Sequence, residues 1–205
     1  GRYDFGCVAV GSDIYVIGGR EKTPSNSTQV ATVLVYDTNG EAWGSVPNGI
    51  SHTRQGMGAV EFNGKVYISG GSESGVGVVG TTQVFDPGTG DWTTLDTMNY
   101  PRYGHRLAVL GSGIYAFGGY DGSAYVEDVE VYDPVGNTWD IVPESEMPSP
   151  CEYFGIGVVD GKAYIFGGRY LDTELSVCSA FDPTPAIPGN FWTPMEDMPV
   201  PTWDL

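Results

Sequence analysis

Several kinds of side chain on which common functions depend are scarce in this 205-residue chain. It has two histidines, His52 and His105, and three cysteines, with no Cys-x-x-Cys pair, so we do not expect a zinc site. Nine Lys and Arg face 26 Asp and Glu, and the net charge of −17 disfavours nucleic-acid phosphates and anionic membranes as partners. No apolar run approaches the roughly 18 residues of a membrane helix.

The motifs of several enzyme classes are absent as well. No Gly-x-Ser-x-Gly segment marks a hydrolase nucleophile, and no glycine-rich loop precedes a helix-forming segment that could bind phosphate. We therefore predict no catalytic residues, no bound metal and no cofactor.

Glycine and aromatic residues are abundant, with 31 glycines and 13% aromatics. A short apolar run that ends in two glycines occurs four times, with 52, 48 and 49 residues between successive glycine pairs. The four runs are Tyr15–Gly19, Tyr67–Gly71, Tyr115–Gly119 and Tyr164–Gly168. Each run is too short for a helix and predicts a buried strand that ends at a tight bend. A constant period near 50 residues indicates a repeat protein.

Three further residues recur in every repeat, or nearly so. A Tyr or Phe followed by Asp comes after the glycines, at Tyr36, Phe85, Tyr132 and Phe181, and a Trp follows at Trp43, Trp92, Trp139 and Trp192. An arginine stands 13 residues before the first Tyr in three repeats, at Arg2, Arg54 and Arg102, and Cys151 replaces it in the fourth. This order resembles the kelch repeat, and the third copy is most similar to kelch domains of BTB-kelch adaptor proteins.

The resemblance implies an all-β fold made of four-stranded propeller blades. We predict four consecutive blades at about residues 1–49, 50–98, 99–148 and 149–199, with 200–205 starting a further blade. Kelch rings usually have six or seven blades, so we expect an arc of a larger ring and a chain that is a piece of something larger. We expect Trp43, Trp92, Trp139 and Trp192 to be buried between blades, with Trp203 as an exposed exception.

The arginines suggest where a ligand could bind. We expect Arg2, Arg54 and Arg102 to begin the first strand of their blades and the Gly-Gly pair to end the second strand. If these two strands are antiparallel, the arginines and the residues after Gly-Gly lie at the same end of a blade. In kelch adaptors the matching positions contact peptide ligands, which implies a set made of Arg20, Arg54, Ser72, Arg102, Tyr120 and Arg169. The guanidinium group binds carboxylates through two hydrogen bonds, so we predict an acidic peptide or protein partner. Arg2 belongs to the same pattern, and Cys151 departs from it.

A structural role for these arginines is the alternative. Asp4, Glu21, Asp121, Glu152 and Asp172 are close to them in sequence and could form ordinary ion pairs with them. The sequence leaves both readings open.

We predict a non-catalytic protein-interaction module, whose use could be substrate recruitment to a ubiquitin ligase if BTB and BACK domains accompany it. Two alternatives remain: a kelch-type enzyme, either a copper oxidase or a sugar mutarotase, and a structural component of a large assembly. Remaining blades of the same propeller, or a neighbouring chain, would be further partners. We predict a cytoplasmic location, with secretion left open. Cys7 should pack as a small apolar residue in its strand, and Cys151 and Cys178 could pair only in an oxidising compartment.

Overall fold

The computed structural model describes residues 1–203, and these residues form an all-β structure. They contain 24 strands and no helix, which confirms the predicted fold class. Consequently no helix among them is long and apolar enough to cross a membrane. Asp204 and Leu205 are the last two residues of the segment 200–205, which we predict to start a further blade, and they lie outside the described residues.

Sixteen of the strands, numbered in chain order, form four antiparallel sheets of four strands. The first contains β2 (Gly6–Val10), β3 (Asp13–Ile17), β6 (Val33–Asp37) and β7 (Ala42–Ser45). The second contains β9 (Gly58–Phe62), β10 (Lys65–Ser69), β13 (Thr81–Asp86) and β14 (Asp91–Thr97). The third contains β15 (Arg106–Leu110), β16 (Gly113–Phe117), β17 (Glu130–Asp133) and β18 (Thr138–Ile141). The fourth contains β19 (Gly155–Val159), β20 (Lys162–Phe166), β23 (Cys178–Phe181) and β24 (Trp192–Pro194).

Eight short strands form smaller sheets around the glycine pairs. One sheet contains β1 (Arg2–Tyr3), β4 (Arg20–Lys22) and β5 (Ser27–Gln29); another contains β8 (Arg54–Gln55), β11 (Ser72–Glu73) and β12 (Gly77–Val78); a third contains β21 (Arg169–Tyr170) and β22 (Thr173–Glu174). Arg2 and Arg54 therefore lie in separate strands, and the expectation that they begin strand one was wrong. Arg102 lies in no strand.

An aspartate closes the turn after the third strand of every four-stranded sheet. The carboxylate of Asp37 accepts a hydrogen bond from the backbone N–H two residues later, at 2.9 Å, and Asp86, Asp133 and Asp182 do the same at 2.9 Å. The Tyr/Phe-Asp motif thus joins a core aromatic to a turn-forming side chain, as the sequence predicts.

The described chain divides into two compact units, Gly1–Tyr103 and Gly104–Leu205. The core of the first packs Tyr15 and Ile17 of β3 with Val66 and Ile68 of β10 and with Phe85. The core of the second packs Phe117, Phe154, Ile165 and Phe181. Each such side chain, removed from water, stabilises its unit by about 1.5–3 kcal/mol.

The second glycine of each pair links its repeat to the start of the next. The N–H of Gly19 donates to the carbonyl of Arg54 at 2.7 Å, and that of Gly71 donates to Arg102 at 2.8 Å. The same bond joins Gly119 to Cys151 at 2.8 Å and Gly168 to Thr202 at 2.9 Å. Gly71 has φ +100°, and a Cβ there would lie 2.8 Å from the Arg54 side chain and from the Gln55 carbonyl oxygen. Backbone conformation and space therefore both require glycine at this position.

The tryptophans differ in burial. Trp139 is only 5% exposed, whereas Trp92 and Trp192 are half-buried and donate through Nε1 to the carbonyls of Asn48 at 3.0 Å and Ser145 at 2.8 Å. Trp43 is 63% exposed and packs its ring on Tyr36 of the same sheet, so its predicted burial was wrong. Trp203 is 39% exposed, as expected.

Candidate functional site

The structure brings Arg20, Arg54 and Ser72 together in the first unit, on the short strands that follow the glycine pairs. In the register of β8 and β11, Gln55 lies opposite Ser72 and Arg54 lies opposite Glu73. Arg20 of β4 reaches this sheet, since its Nη1 donates to Oε1 of Gln55 at 3.1 Å. The geometry thus places these three predicted residues on adjoining strands.

Arg54 is buried and is bonded through its two terminal nitrogens, whereas its Nε has no hydrogen-bond partner among residues 1–203. It is 1% exposed and forms an ion pair with Glu73, which is itself 8% exposed. Its guanidinium also donates to the carbonyl of Thr81 at 3.1 Å and to the hydroxyl of Thr81 at 2.7 Å. Burial lowers the pKa of Arg54, and the adjacent Glu73 carboxylate opposes that fall. Arg54 therefore stabilises the loop after Gly71 from beneath.

Arg102 occupies the matching place in the next repeat and is 0% exposed. Its Nε donates to the carbonyl of Tyr100 at 3.2 Å. Buried guanidinium groups do not form a surface for a partner, so direct ligand contact by Arg54 and Arg102 does not fit the structure. Their bonds are those of residues that stabilise the backbone around them.

Arg20 is bonded differently from the other arginines of the first unit. Its Nε donates to the hydroxyl of Ser27 at 3.0 Å and its Nη2 to the carbonyl of Ser27 at 3.0 Å, in addition to the bond to Gln55. These acceptors are all neutral, whereas Arg2 pairs with Glu21 and Arg54 with Glu73. Of its five N–H donors, one on Nη1 and one on Nη2 have no acceptor among residues 1–203. The half-buried Arg20 can therefore still donate two hydrogen bonds to a carboxylate.

In the second unit Arg169 is the centre of a mixed ionic and aromatic cluster. Its Nη2 and Nε donate to the same oxygen of Glu152 at 2.7 and 3.2 Å. This hydrogen bond raises the pKa of Arg169. The guanidinium carbon lies 5.0 Å from the ring centroid of Trp203 and 5.9 Å from that of Tyr153. The alternative of structural ion pairing thus applies to Arg169, although part of its side chain stays exposed.

Tyr120 joins this cluster through other aromatic rings. It forms a β-bridge with Tyr125, and their ring centroids lie 5.2 Å apart. The ring of Tyr125 in turn lies 4.7 Å from that of Tyr170, the residue after Arg169. Tyr125, Tyr170 and Trp203 belong to this cluster, and the sequence did not predict them as candidate site residues. Tyr170 could have been found because it directly follows Arg169 in the strand after a glycine pair.

The cysteines and histidines give no cluster of ligands. Cys7 is exposed, so its predicted packing in the core was wrong, and Cys151 and Cys178 are buried free thiols. Burial raises the pKa of Cys151 to about 12. His52 is exposed and His105 is 0% exposed. Within residues 1–203 no group of three or more His, Cys, Asp or Glu side chains is placed to hold a metal ion.

Four-stranded antiparallel sheets that repeat with a glycine pair, a Tyr/Phe-Asp turn and a tryptophan define a class of protein, and sequence comparison identifies it. The KLHDC2/KLHL20/DRC7 Kelch-repeats domain matches residues 4–196, so the chain belongs to the kelch-repeat domain family. This confirms the resemblance and the blade interpretation of the sheets.

The similar proteins are kelch-like proteins. Kelch-like protein 25 of Xenopus tropicalis is 34% identical over 212 residues, which cover 96% of this chain and 33% of that protein. Human Kelch-like protein 34 is 32% identical over 177 residues, or 82% of this chain and 26% of that protein. Human Kelch-like protein 33 is 28% identical over 161 residues, or 75% and 29%. The chain thus spans about a third or less of the length of these curated relatives.

Proposed function

We propose that this chain is a non-catalytic protein-interaction module, and that the segments after the glycine pairs contact its partner. Membership of the kelch-repeat family supports this function. The blade boundaries proposed from the sequence, at about residues 1–49, 50–98, 99–148 and 149–199, place one such segment in each blade. Exposed loops on a rigid β scaffold are a common arrangement for binding.

The observation that supports an acidic partner is the bonding of Arg20. Its guanidinium is fixed by Ser27 and Gln55, so its direction is set before a ligand arrives. Two N–H groups remain, one on each terminal nitrogen, and a carboxylate could accept a hydrogen bond from both. Ser72 lies opposite Gln55 and is half-buried, which makes it the adjacent polar contact in this proposal. Tyr120 and Arg169 are candidate contacts with the partner in the second unit, but we do not assign them to its acidic segment, because Glu152 already pairs with Arg169.

The test is a titration of the 205-residue chain with acetyl-Gly-Glu-Gly-Glu-Gly-amide and with the same peptide carrying glutamine. We expect Arg20→Gln to weaken binding of the glutamate peptide by about 1.5–3 kcal/mol, the range for a hydrogen bond to a charged group. Lys22→Gln is the matched control, because Lys22 is exposed on the same strand and its loss changes the net charge equally. Equal effects of the two substitutions would show that only the overall field attracts the peptide.

We further propose that the interaction serves substrate recruitment to a ubiquitin ligase in the cytoplasm. This use requires a ligase-binding domain in the natural gene product, and the kelch repeats would supply the contact with the substrate. Co-purification of a cullin with that product, together with lower ubiquitylation of the partner in an Arg20→Gln background, tests it. Cullin-free complexes that retain the partner would contradict recruitment while leaving the interaction module intact.

A further inference from the structure

We propose that a partly exposed aromatic surface of the second unit, with Tyr170 exposed and Tyr120 and Tyr125 half-buried, binds a cationic side chain, lysine or arginine, of a protein partner. This inference rests on the proposed function, since it gives the chemistry of the partner for one part of the interaction surface. The surface consists of Tyr120, Tyr125, Tyr170, Leu171 and Asp172, and we call it the tyrosine surface.

The tyrosine surface is continuous. Ring contacts join Tyr120 to Tyr125 and Tyr125 to Tyr170, with centroids 5.2 and 4.7 Å apart. The N–H of Leu171 donates to the hydroxyl of Tyr125 at 2.9 Å, which ties the β21–β22 turn to the neighbouring loop. Tyr170 is 39% exposed and Leu171 68% exposed, an unusual exposure for large apolar side chains beside one another.

The turn that carries this surface has the backbone conformation of a tight hairpin. Leu171 and Asp172 both have positive φ, 45° and 60°, which is the conformation of a two-residue hairpin turn between β21 and β22. Leucine rarely adopts this conformation, because its Cβ is crowded there. The turn therefore places Leu171 and Asp172 at its exposed tip, at a conformational cost for Leu171.

The charge around the tyrosine surface is negative. The side chain of Asp172 is 97% exposed, and its only ion-pair contact within residues 1–203 is a distant one of 3.9 Å to Arg169. Asp121 follows Tyr120 and is exposed, and Glu174 of β22 accepts a hydrogen bond from Nε1 of Trp203 at 3.0 Å.

Arg169 does not reverse this charge, since Glu152 already neutralises it. One oxygen of the 3% exposed Glu152 accepts both bonds from Arg169, and its other oxygen is buried without a hydrogen-bond partner among residues 1–203. The carboxylates thus exceed the cation by three: Asp121, Glu152, Asp172 and Glu174 against Arg169.

These charges decide between the two classes of peptide. An acidic peptide would approach Asp121, Asp172 and Glu174 against repulsion, and Arg169 has no uncompensated charge to offer it. A cationic side chain would meet tyrosine ring faces, which attract cations, and the exposed carboxylate of Asp172 beside them. The second unit therefore fits a basic segment, whereas Arg20 of the first unit fits a carboxylate.

The experiment is a titration of the 205-residue chain with acetyl-Gly-Arg-Gly-Arg-Gly-amide, followed by NMR shifts of the tyrosine ring signals. The peptide with citrulline in place of arginine keeps the shape and removes the charge, and the glutamate peptide inverts the charge. We expect the arginine peptide to bind and both others to bind more weakly. Tyr170→Ala should weaken binding of the arginine peptide by roughly 2- to 30-fold, the range of cation–π contacts. Tyr170→Phe should retain binding, because it keeps the ring face.

A strongly acidic chain attracts any basic peptide, so a matched control is needed. Asp172→Asn should weaken binding, whereas Asp160→Asn should not. Asp160 is equally suited as a control, because it is exposed and has φ +50° in the turn between β19 and β20. Circular dichroism melts of all four variants check that each is folded.

Three results would overturn the proposal. They are equal loss in Asp160→Asn and Asp172→Asn, undiminished binding of the citrulline peptide, and tighter binding of the glutamate peptide than of the arginine peptide. The outcome is separate from that of the Arg20 test, since the two titrations use opposite charges and variants in different units. Failure of Arg20→Gln to affect the glutamate peptide would leave the result for the tyrosine surface unchanged.

Discussion

Removal of the Arg54 side chain tests the structural role of the buried arginines. Arg54→Met leaves the Glu73 carboxylate, which is 8% exposed, without its ion-pair partner. It also removes the Arg54 bonds to the hydroxyl and the carbonyl of Thr81, although the carbonyl still accepts a hydrogen bond from the N–H of Gly70. Removing one member of a buried ion pair typically costs about 3–5 kcal/mol. For a chain of this size, each kcal/mol lowers the midpoint of thermal unfolding by about 2–4 °C, so we expect a fall of roughly 6–20 °C.

The first repeat supplies the matched control for this substitution. Arg2 forms the equivalent pair with Glu21, but the Glu21 side chain is 51% exposed. Exposed pairs contribute about 0–1 kcal/mol, so Arg2→Met should lower the midpoint by only a few degrees. Thermal unfolding is followed by circular dichroism for both variants. The double variant Arg54→Met with Glu73→Leu should recover much of the loss, because no buried charge remains. Equal midpoints for Arg54→Met and Arg2→Met would refute the reasoning.

Two further predictions concern stability. Trp139→Ala should lower the free energy of unfolding by about 3–5 kcal/mol because Trp139 is 5% exposed, whereas Trp43→Ala should lower it much less because Trp43 is 63% exposed. Urea unfolding compares the two variants, and similar losses would show that exposure does not decide the cost. A hydrogen bond from Lys65 lowers the pKa of Asp86 below the ordinary aspartate value of 3.8. This pair therefore stabilises the fold at pH values above 3.8, and its contribution is lost as the pH falls through the lowered pKa. Lys65→Met should therefore flatten the stability profile at acid pH, and an unchanged acid slope would contradict the link.

Repeated local chemistry could be predicted from the sequence, and burial that depends on neighbours could not. The glycine pairs, the Asp turns and the strands follow from residues near in sequence, and the structure has them where expected. Trp43 shows the limit. Trp92 donates to Asn48, which lies 44 residues earlier, so its contact depends on a residue that no local pattern marks. The motif tryptophan is therefore half-buried and hydrogen-bonded in the second repeat and exposed in the first.

The ion-pair partners of the predicted site residues could be predicted less well than the fold. Sequence position placed Arg20, Arg54 and Arg169 at the ends of strands but did not show which carboxylate each would meet. Glu73 and Glu152 are brought to Arg54 and Arg169 by strand pairing, at separations of 19 and 17 residues. The aromatic contacts of Tyr170 depend on Tyr125, 45 residues away, and no local pattern marks that pair.

The hydrogen bond from the second glycine to the next repeat uses main-chain atoms on both sides. The accepting residue is Arg54, Arg102, Cys151 or Thr202, so four bonds of nearly equal length tolerate three kinds of side chain. Mutation can therefore alter the side chain of the accepting residue without removing the hydrogen bond between the two repeats. A repeat copied or exchanged between genes would bring its glycine and find an acceptor in almost any following repeat. Only the glycine is irreplaceable, and duplication with divergence is the history that such a joint permits.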